Sequence, residues 1–349
     1  MVDFSNDLLG WYTINKRELP WRETKAPYAI WLSEIILQQT RVDQGLSYYL
    51  KFIEKYPTVE EFARAGEDDI LKLWQGLGYY SRARNMHKTA QEIVEKWHGK
   101  FPSSYEDLLA LKGIGEYTAA AISSISYEKP YAVVDGNVYR VLSRFFGIST
   151  PIDSSSGKKE FRLLANSLIN KEKPGEYNQA LMEFGALHCI PKNPDCQECI
   201  LKCRCIAFNS SLVEKLPVKG EKQKSKLRYF NYLVILEKGF VYLKKRTGND
   251  IWRNLYEFPL IEKNKKTDAA NFDKLVKTYP GLKKFDILKI TSWEKQVLSH
   301  QNIYYRFIYM VTDNEKNRLT DLLKVNKKDI FNFAVPKPIE RELEKIGME

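Results

Sequence analysis

The chain has 349 residues, 44% of them apolar and 13% aromatic, enough to build two packed cores rather than one. No run approaches the roughly 18 apolar residues of a membrane span, and the charged opening "MVDFSNDLLGWYTINKRELPW" does not read as a signal peptide, so a soluble intracellular protein is expected. A formal charge of +11 favours an anionic partner, nucleic acid first, although solvated lysine faces give many proteins a similar balance.

Residues 1 to 208 read as helix after helix. "YAIWLSEIILQQ", "DDILKLWQGL", "RNMHKTAQEIVEKW", "YTAAAISSI", "NVYRVLSRFF" and "KEFRLLANSLI" space apolar residues by three and four, with Gly and Pro between segments. Within this all-helical half, "LLALKGIGEYTAAAI" sets Gly113 and Gly115 either side of one apolar residue just before a helical run. Such a turn can approach another backbone closely and aim the helix's first amides at an anion. About twenty residues on, "AVVDGNVYRVLSRFF" puts Asp135 in a turn with Gly136 and Asn137 ahead of another helix, where its plainest role is an N-cap worth about 1 kcal/mol.

All five cysteines fall in "LHCIPKNPDCQECILKCRC". In a reducing compartment such clustering points to metal ligation rather than disulfides. Cys189, Cys196, Cys199 and Cys205 form C-x6-C-x2-C-x5-C, one compact loop of four thiolates suited to a [4Fe-4S] cluster. By spacing alone zinc stays open, and Cys203 is either a bystander or a substitute for Cys205. Residues 209 to 228 are polar and lysine-rich, the composition of a linker in solvated coil. From 229 to 349 the texture changes to a smaller α/β domain. "YFNYLVILEKGFVYLKKR" pairs two strands across Lys238 and Gly239, "FDILKITSW" and "NIYYRFIYMV" add strands, and helices are expected near 268 to 278 and 338 to 346.

The glycine hairpin, the Asp of "VVDGNVYRV" and the four-cysteine loop together resemble the endonuclease III superfamily of DNA glycosylases. "LPWR", "SEIILQQTRV" and "WQGLGYYSRARN" are similar to its adenine-specific branch, the MutY family of adenine DNA glycosylases. The resemblance spans the whole chain, since that family carries a Nudix-like domain after a linker. It implies an all-α helix-hairpin-helix glycosylase domain with a [4Fe-4S] loop, followed by a Nudix-like α/β domain. It further implies a monomer that acts on double-stranded DNA and excises adenine opposite 8-oxoguanine, and more weakly opposite guanine.

By the same resemblance, Glu34 is the acid that protonates adenine at N7, and its apolar surroundings between Leu32 and Ile35 should raise its pKa. Asp135 stays ionised beside the sugar, with Asn137 orienting water or the sugar-phosphate. Tyr117 stands where strand-cutting relatives carry an amine-bearing lysine, which implies a monofunctional enzyme. Gln38, Gln39 and Tyr79 match positions that enter the base stack; Trp21, Arg22 and Gln179 match the adenine pocket. Lys112, with Gly113 and Gly115, belongs to the phosphate-gripping hairpin, where proline is the commoner neighbour. Arg82 and Arg84 fit phosphate contacts and a solvated helix start equally well. "DIWRNLYEFP" resembles a Nudix segment but no run of glutamates follows, so pyrophosphatase activity is not expected. "QVLSHQN" offers Ser299 and His300 where the family reads 8-oxoguanine with Phe-Ser-His, Leu298 replacing the phenylalanine. Two rival readings remain: a related glycosylase for another base, such as thymine opposite guanine, and a non-catalytic iron-sulfur DNA sensor, which has no need of Glu34 and Asp135.

Overall fold

Proline and glycine breaks cut the first two hundred residues into short amphipathic runs. A computed structural model describes residues 2–220, 225–267, 272–312 and 319–348, and in it these runs are helices: α1 (Val2–Asn15), α2 (Pro27–Leu37), α3 (Val42–Lys55), α4 (Val59–Arg64), α5 (Glu67–Leu73), α6 (Ser81–Trp97), α7 (Tyr105–Ala110), α8 (Glu116–Tyr127), α9 (Gly136–Phe146), α10 (Ser155–Leu168), α11 (Pro174–Leu187) and α12 (Ile206–Asn209). Pro27 and Pro174 open their helices, where a missing N–H leaves no bond unmade. Gly147 ends α9 at φ +67°, a left-handed cap that glycine adopts without strain. None of the described helices is long and apolar enough to cross a membrane.

The chain divides into two compact units: Met1–Arg64 with Asn85–Glu221, and Ala65–Arg84 with Lys222–Glu349. In the first, α1, α9, α10 and α11 pack Phe4, Leu8, Leu142, Phe161, Leu181 and Phe184 into one core. Tyr28 through Ile36 of α2 are all buried, so this helix is enclosed on every side and any polar residue on it is taken out of water.

The second unit is built on β1 (Lys226–Glu237), β2 (Phe240–Lys245), β3 (Tyr256–Glu257), β4 (Leu260–Lys263), β5 (Phe285–Ile290), β6 (Glu294–Val297), β7 (Gln301–Thr312) and β8 (Leu323–Asn326). β1 and β7 run parallel as a spine, from Lys226 opposite Gln301 to Leu236 opposite Val311, and every other pairing is antiparallel. Alternate residues serve opposite faces. Phe230, Tyr232 and Val234 face Ile339, Leu343 and Ile346 of a last helix, α14 (Lys337–Met348), while Leu233 and Ile235 face α13 (Phe272–Val276). Lys238 and Gly239, at φ +36° and +85°, make the β1–β2 turn that their pairing predicts. Residues 268–271 of the expected helix near 268 to 278 lie outside the described residues.

Two expectations are corrected. The helix from "DDILKLWQGL" and the loop after it sit in the second unit, not the helical one: Lys72 Nζ donates to the Phe333 carbonyl (3.2 Å), and Gln75 takes the Val335 amide (3.2 Å) while donating to Glu340 (2.6 Å). Apolar periodicity shows that a helix has a buried face, not which core receives it. Nor is 209 to 228 a solvated coil. Leu216 is buried, Arg144 Nε donates to the carbonyls of Val213 and Leu216, Ile152 N donates to Val218 O (3.0 Å), and β1 begins at Lys226 with Arg228 buried against Asp250 and Glu262. Backbone groups make most of these contacts, so a polar side-chain composition gave no sign of them.

Candidate active site

A cavity of about 180 Å³ opens within the first unit, and three elements bring carboxyl and hydroxyl groups to it. α2 contributes Glu34, α8 contributes Tyr117 from its first turn, and the turn ahead of α9 contributes Asp135 and Asn137. Tyr117 Oη donates to Glu34 Oε2 at 2.5 Å and lies 3.7 Å from Met182 Sδ. Glu34 is only 8% exposed. Burial pushes its carboxyl up to about 7, the Tyr117 hydroxyl pulls it back, and the nearby Asp135 charge adds to the rise. Asp135 is held differently. It caps α9 by accepting from the amides of Asn137 (2.9 Å) and Val138 (2.8 Å), and it takes Asn137 Nδ2 at 2.9 Å. Burial raises this carboxyl as well, but the amide donors oppose it. A carboxylate with three N–H partners is better stabilised as an anion than one with a single hydroxyl, so Asp135 is the better supported anion of the pair.

The wall beyond this pair is set by Glu183 on α11, 1% exposed and clasped by two arginines. Arg17 donates from Nε (2.9 Å) and Nη2 (2.6 Å), Arg22 from Nη1 (2.8 Å) and Nη2 (2.7 Å), and the Arg17 amide adds a further bond. Burial would raise the Glu183 carboxyl, but these bonds outweigh it and hold it at about 2. Arg22 is thereby fixed at the cavity edge. Trp21, in the turn Pro20–Arg22, is buried edge-on against Tyr49 at 5.1 Å and also lines the cavity. Gln179 accepts from Tyr12 Oη at 2.7 Å, which orients its amide with the NH2 end, among the described residues, unpaired.

Two arginines on α9, four residues apart, join this site to the cysteine loop. Arg140 donates to Asn137 Oδ1 (2.8 Å), Gly185 O (2.6 Å) and Cys189 O (2.7 Å); Arg144 donates to Ile190 O (2.8 Å) and Pro191 O (3.0 Å) and lies 3.5 Å from Cys189 Sγ. Cys189, Cys196, Cys199 and Cys205 line one small cavity of about 30 Å³; Cys203 is exposed and does not. Burial, then the neighbouring thiols, pushes Cys199 up to about 11 and raises Cys196 and Cys205 as well. A bound cation would favour the thiolate form of Cys196, Cys199 and Cys205 against this burial. Among the described residues no three His, Cys, Asp or Glu side chains are arranged to hold a single metal ion.

The hairpin is built as its glycines require. Gly113 has φ +81°, and a Cβ there would come within 2.8 Å of Asn85 Cβ; Gly115 caps α8 with open space around it. Lys112 is exposed, and its carbonyl accepts from Thr89 Oγ1 at 2.5 Å. α8 therefore starts just after an exposed turn that carries a cation. Gln38 follows α2 with Nε2 3.4 Å from Thr118 Oγ1, and Gln39 is exposed at φ +57°. Tyr79 belongs to the second unit, where it is 47% exposed and bonds the Ser299 hydroxyl. Ser299 and His300 form the exposed tip between β6 and β7, while Leu298 packs against the sheet core. Arg82 and Arg84 are both half-buried in the second unit. Arg82 lies over Trp74 at 5.1 Å, its guanidinium lowered to about 10 by burial, and Arg84 donates to the Arg253 carbonyl at 2.8 Å.

Residues 32–169 match the HhH-GPD superfamily base excision DNA repair protein, and residues 231–345 match the NUDIX domain. An adenine DNA glycosylase of Buchnera aphidicola subsp. Schizaphis graminum is 34% identical over 98% of this chain and 98% of its own. The chain belongs to the adenine DNA glycosylase family. The human adenine DNA glycosylase is 39% identical over 62% of this chain and 41% of its own length. A solved thermostable thymine-DNA glycosylase is similar over 60% of this chain and 96% of its own, with a TM-score of 0.56 and 30% identity. As a member of the adenine DNA glycosylase family the chain is a DNA glycosylase, with a helical HhH-GPD domain and a Nudix-like α/β domain.

In this family member several supporting residues escaped sequence reasoning: Tyr12, Arg17 and Glu183 behind the pocket, Arg140 and Arg144 behind the cysteine loop. One signal was present. Gln179 and Glu183 stand four apart on one helix and so share a face, but an acid on an apolar helix announces itself only when its arginines, some 160 positions earlier in the chain, are known to be adjacent.

Proposed function

We propose that the enzyme excises adenine paired with 8-oxoguanine, and more weakly adenine paired with guanine, from double-stranded DNA, and leaves an intact abasic site. The observation that carries this reading is the buried Glu34 carboxyl, bonded by Tyr117 in the same cavity as the N–H-bonded Asp135, with burial raising the Glu34 pKa to about 7. Glu34 gives its proton to N7 of the extruded adenine, the C1′–N9 bond breaks with its electrons leaving on the base, and the Asp135 carboxylate stabilises the cationic sugar until water adds at C1′. Tyr117 carries no amine, so no Schiff base forms at that position and the strand is not cut. Trp21, Arg22 and Gln179 read the adenine, the unpaired amide end of Gln179 serving as a donor to the purine edge. Asn137, held by Arg140, orients water or the sugar-phosphate.

The hairpin at Lys112, Gly113 and Gly115 grips a phosphate with the first amides of α8, and Gln38, Gln39 and Tyr79 fill the space left by extrusion. Ser299 and His300 read 8-oxoguanine, with Leu298 anchoring their loop to the core. Cys189, Cys196, Cys199 and Cys205 hold a [4Fe-4S] cluster, whose contribution is to fix the basic loop they belong to. Four thiols lining one cavity suit a cluster in which each iron takes one of them. The enzyme works as a monomer inside the cell.

The test is incubation with duplexes carrying a single 8-oxoguanine·adenine, guanine·adenine or guanine·thymine pair, followed by hot alkali to reveal abasic sites. Cleavage is expected at adenine, strongest opposite 8-oxoguanine, and only after alkali. Thymine release in place of adenine would establish the thymine-specific reading that the structural likeness keeps in view; no release with intact binding would leave a sensor.

A further inference from the structure

Among the described residues, one face of the second unit is left half open, and its residues are in strict register. Across four adjacent strands, Lys263 of β4 stands opposite Tyr229 of β1, Tyr229 opposite Tyr304 of β7, and Tyr304 opposite Lys295 of β6. Directly opposed residues share a face, so this is a row with two aromatic rings at its centre and a lysine at each end. The rings stack at 5.3 Å and 13°, Trp293 meets Tyr229 edge-on at 6.0 Å, and Lys295 and Lys266 lie 5.6 and 5.2 Å from the Tyr304 ring. The next row toward the hairpin tip is Leu227, Asn302 and Val297, with Leu227 53% and Val297 63% exposed. Helix α13 covers only the far half of the face, over Leu233, Ile235, Ile308 and Met310.

Charge selects the occupant. Lys263, Lys266 and Lys295 form no ion pair among the described residues, and the acids adjacent to Lys263 and Lys295 in sequence are turned away: Glu262 is bound by Arg228 and Glu294 by Tyr305, both on the opposite face. Flat aromatic and aliphatic groups flanked by unpaired lysines suit deoxyribose rings and phosphates, not an apolar or basic partner. Two of the four strands that carry the row, β6 and β7, flank Ser299 and His300.

We propose that this open face is a second DNA-contacting surface, binding the sugar-phosphate backbone of the strand that contains the 8-oxoguanine; the choice of strand rests on the function proposed above. Tyr229 and Tyr304 pack against sugars while Lys263, Lys266 and Lys295 neutralise phosphates. The surface adds affinity and no base preference.

The test compares the full-length enzyme with the triple variant Lys263→Ala, Lys266→Ala, Lys295→Ala, measuring affinity for an 8-oxoguanine·adenine duplex across a salt series. Each phosphate no longer neutralised should flatten the slope of log affinity against log salt by about 0.9, so a change of about two to three is expected, with an unchanged ratio of affinities for 8-oxoguanine·adenine and guanine·adenine duplexes. A second variant, Lys295→Glu, should lose more affinity at low than at high salt. An unchanged slope in both would overturn the proposal, as it would if an acidic protein were the true occupant; a lost 8-oxoguanine preference would overturn the claim that the face is blind to bases. Adenine release by the unaltered enzyme, scored in parallel, keeps the two ideas separable, since its absence would sink the excision reading whatever the slope does.

Discussion

Glu34 has the pKa of an acid that works near neutrality, and it bears a cost to stability for it. Its carboxyl rises from 4.5 to about 7 on folding. A raised carboxyl favours the protonated fold, so the penalty is absent below 4.5, grows as pH rises toward 7 and is complete above it. Glu34→Gln keeps the shape and removes both proton and penalty. At pH 8 the variant should release no adenine, bind the lesion duplex nearly as the parent does, and be more stable by on the order of 2 kcal/mol, an advantage that fades by about pH 4. Single-turnover excision and melting temperature at the two pH values check this, and unchanged cleavage would remove Glu34 from the mechanism. A second expectation concerns Tyr117, whose hydroxyl stabilises the ionised carboxylate at 2.5 Å. Tyr117→Phe should therefore shift the alkaline limb of the kcat/KM profile upward from about 7; a downward shift would mean that the hydroxyl serves the protonated form.

At the scale of elements, the cysteine loop is held by α9 and by its own thiols. Arg140 and Arg144 bind only the carbonyls of Cys189 to Pro191, so a chain from which the proposed cluster is withheld should lose definition of the loop from Cys196 onward. Cys196→Ser is expected to lower iron content and DNA affinity together, because Lys192, Lys202 and Arg204 ride on the same loop. Cys203→Ser should alter neither, its side chain being exposed and outside the thiol-lined cavity. Iron analysis with a binding titration checks both. Bleaching by the Cys203 change would reassign the ligands, and stoichiometric zinc in freshly isolated protein would replace the cluster.

For the whole molecule, the division of labour predicts what survives without the second unit. Every candidate catalytic group lies in the first unit, which extends to residue 221 because residues 212–220 pack onto it. A chain cut after residue 221 should still release adenine. It should also be less stable than the full chain and open to proteolysis between residues 65 and 84, since that segment is then without the bonds from Lys72 and Gln75 to residues 333–340. Preference for 8-oxoguanine over guanine opposite adenine should fall further than the rate of excision. Ser299→Ala with His300→Ala in the full chain should reproduce part of that fall, about 1 kcal/mol for each hydrogen bond removed from the damaged base. If both proteins kept the parental ratio of affinities at one salt concentration, the lesion would be read elsewhere.

Local rules made much of this legible in the sequence. Helical spacing, the glycine turn, the β1–β2 turn and the four-cysteine spacing each depend on residues close together in the chain, and the apolar run around Glu34 marks it as a buried acid. What only the tertiary structure decided depends on which distant residues become neighbours. The pairing of Glu183 with Arg17 and Arg22, the capture of Arg82 by Trp74, the passage of residues 65–84 into the second unit and the row of tyrosines and lysines across four strands are such cases. A sequence records the period of a segment, which backbone geometry imposes locally. It does not record the partner, because contacts between distant segments are set by how whole surfaces pack, and no short stretch of chain contains that information.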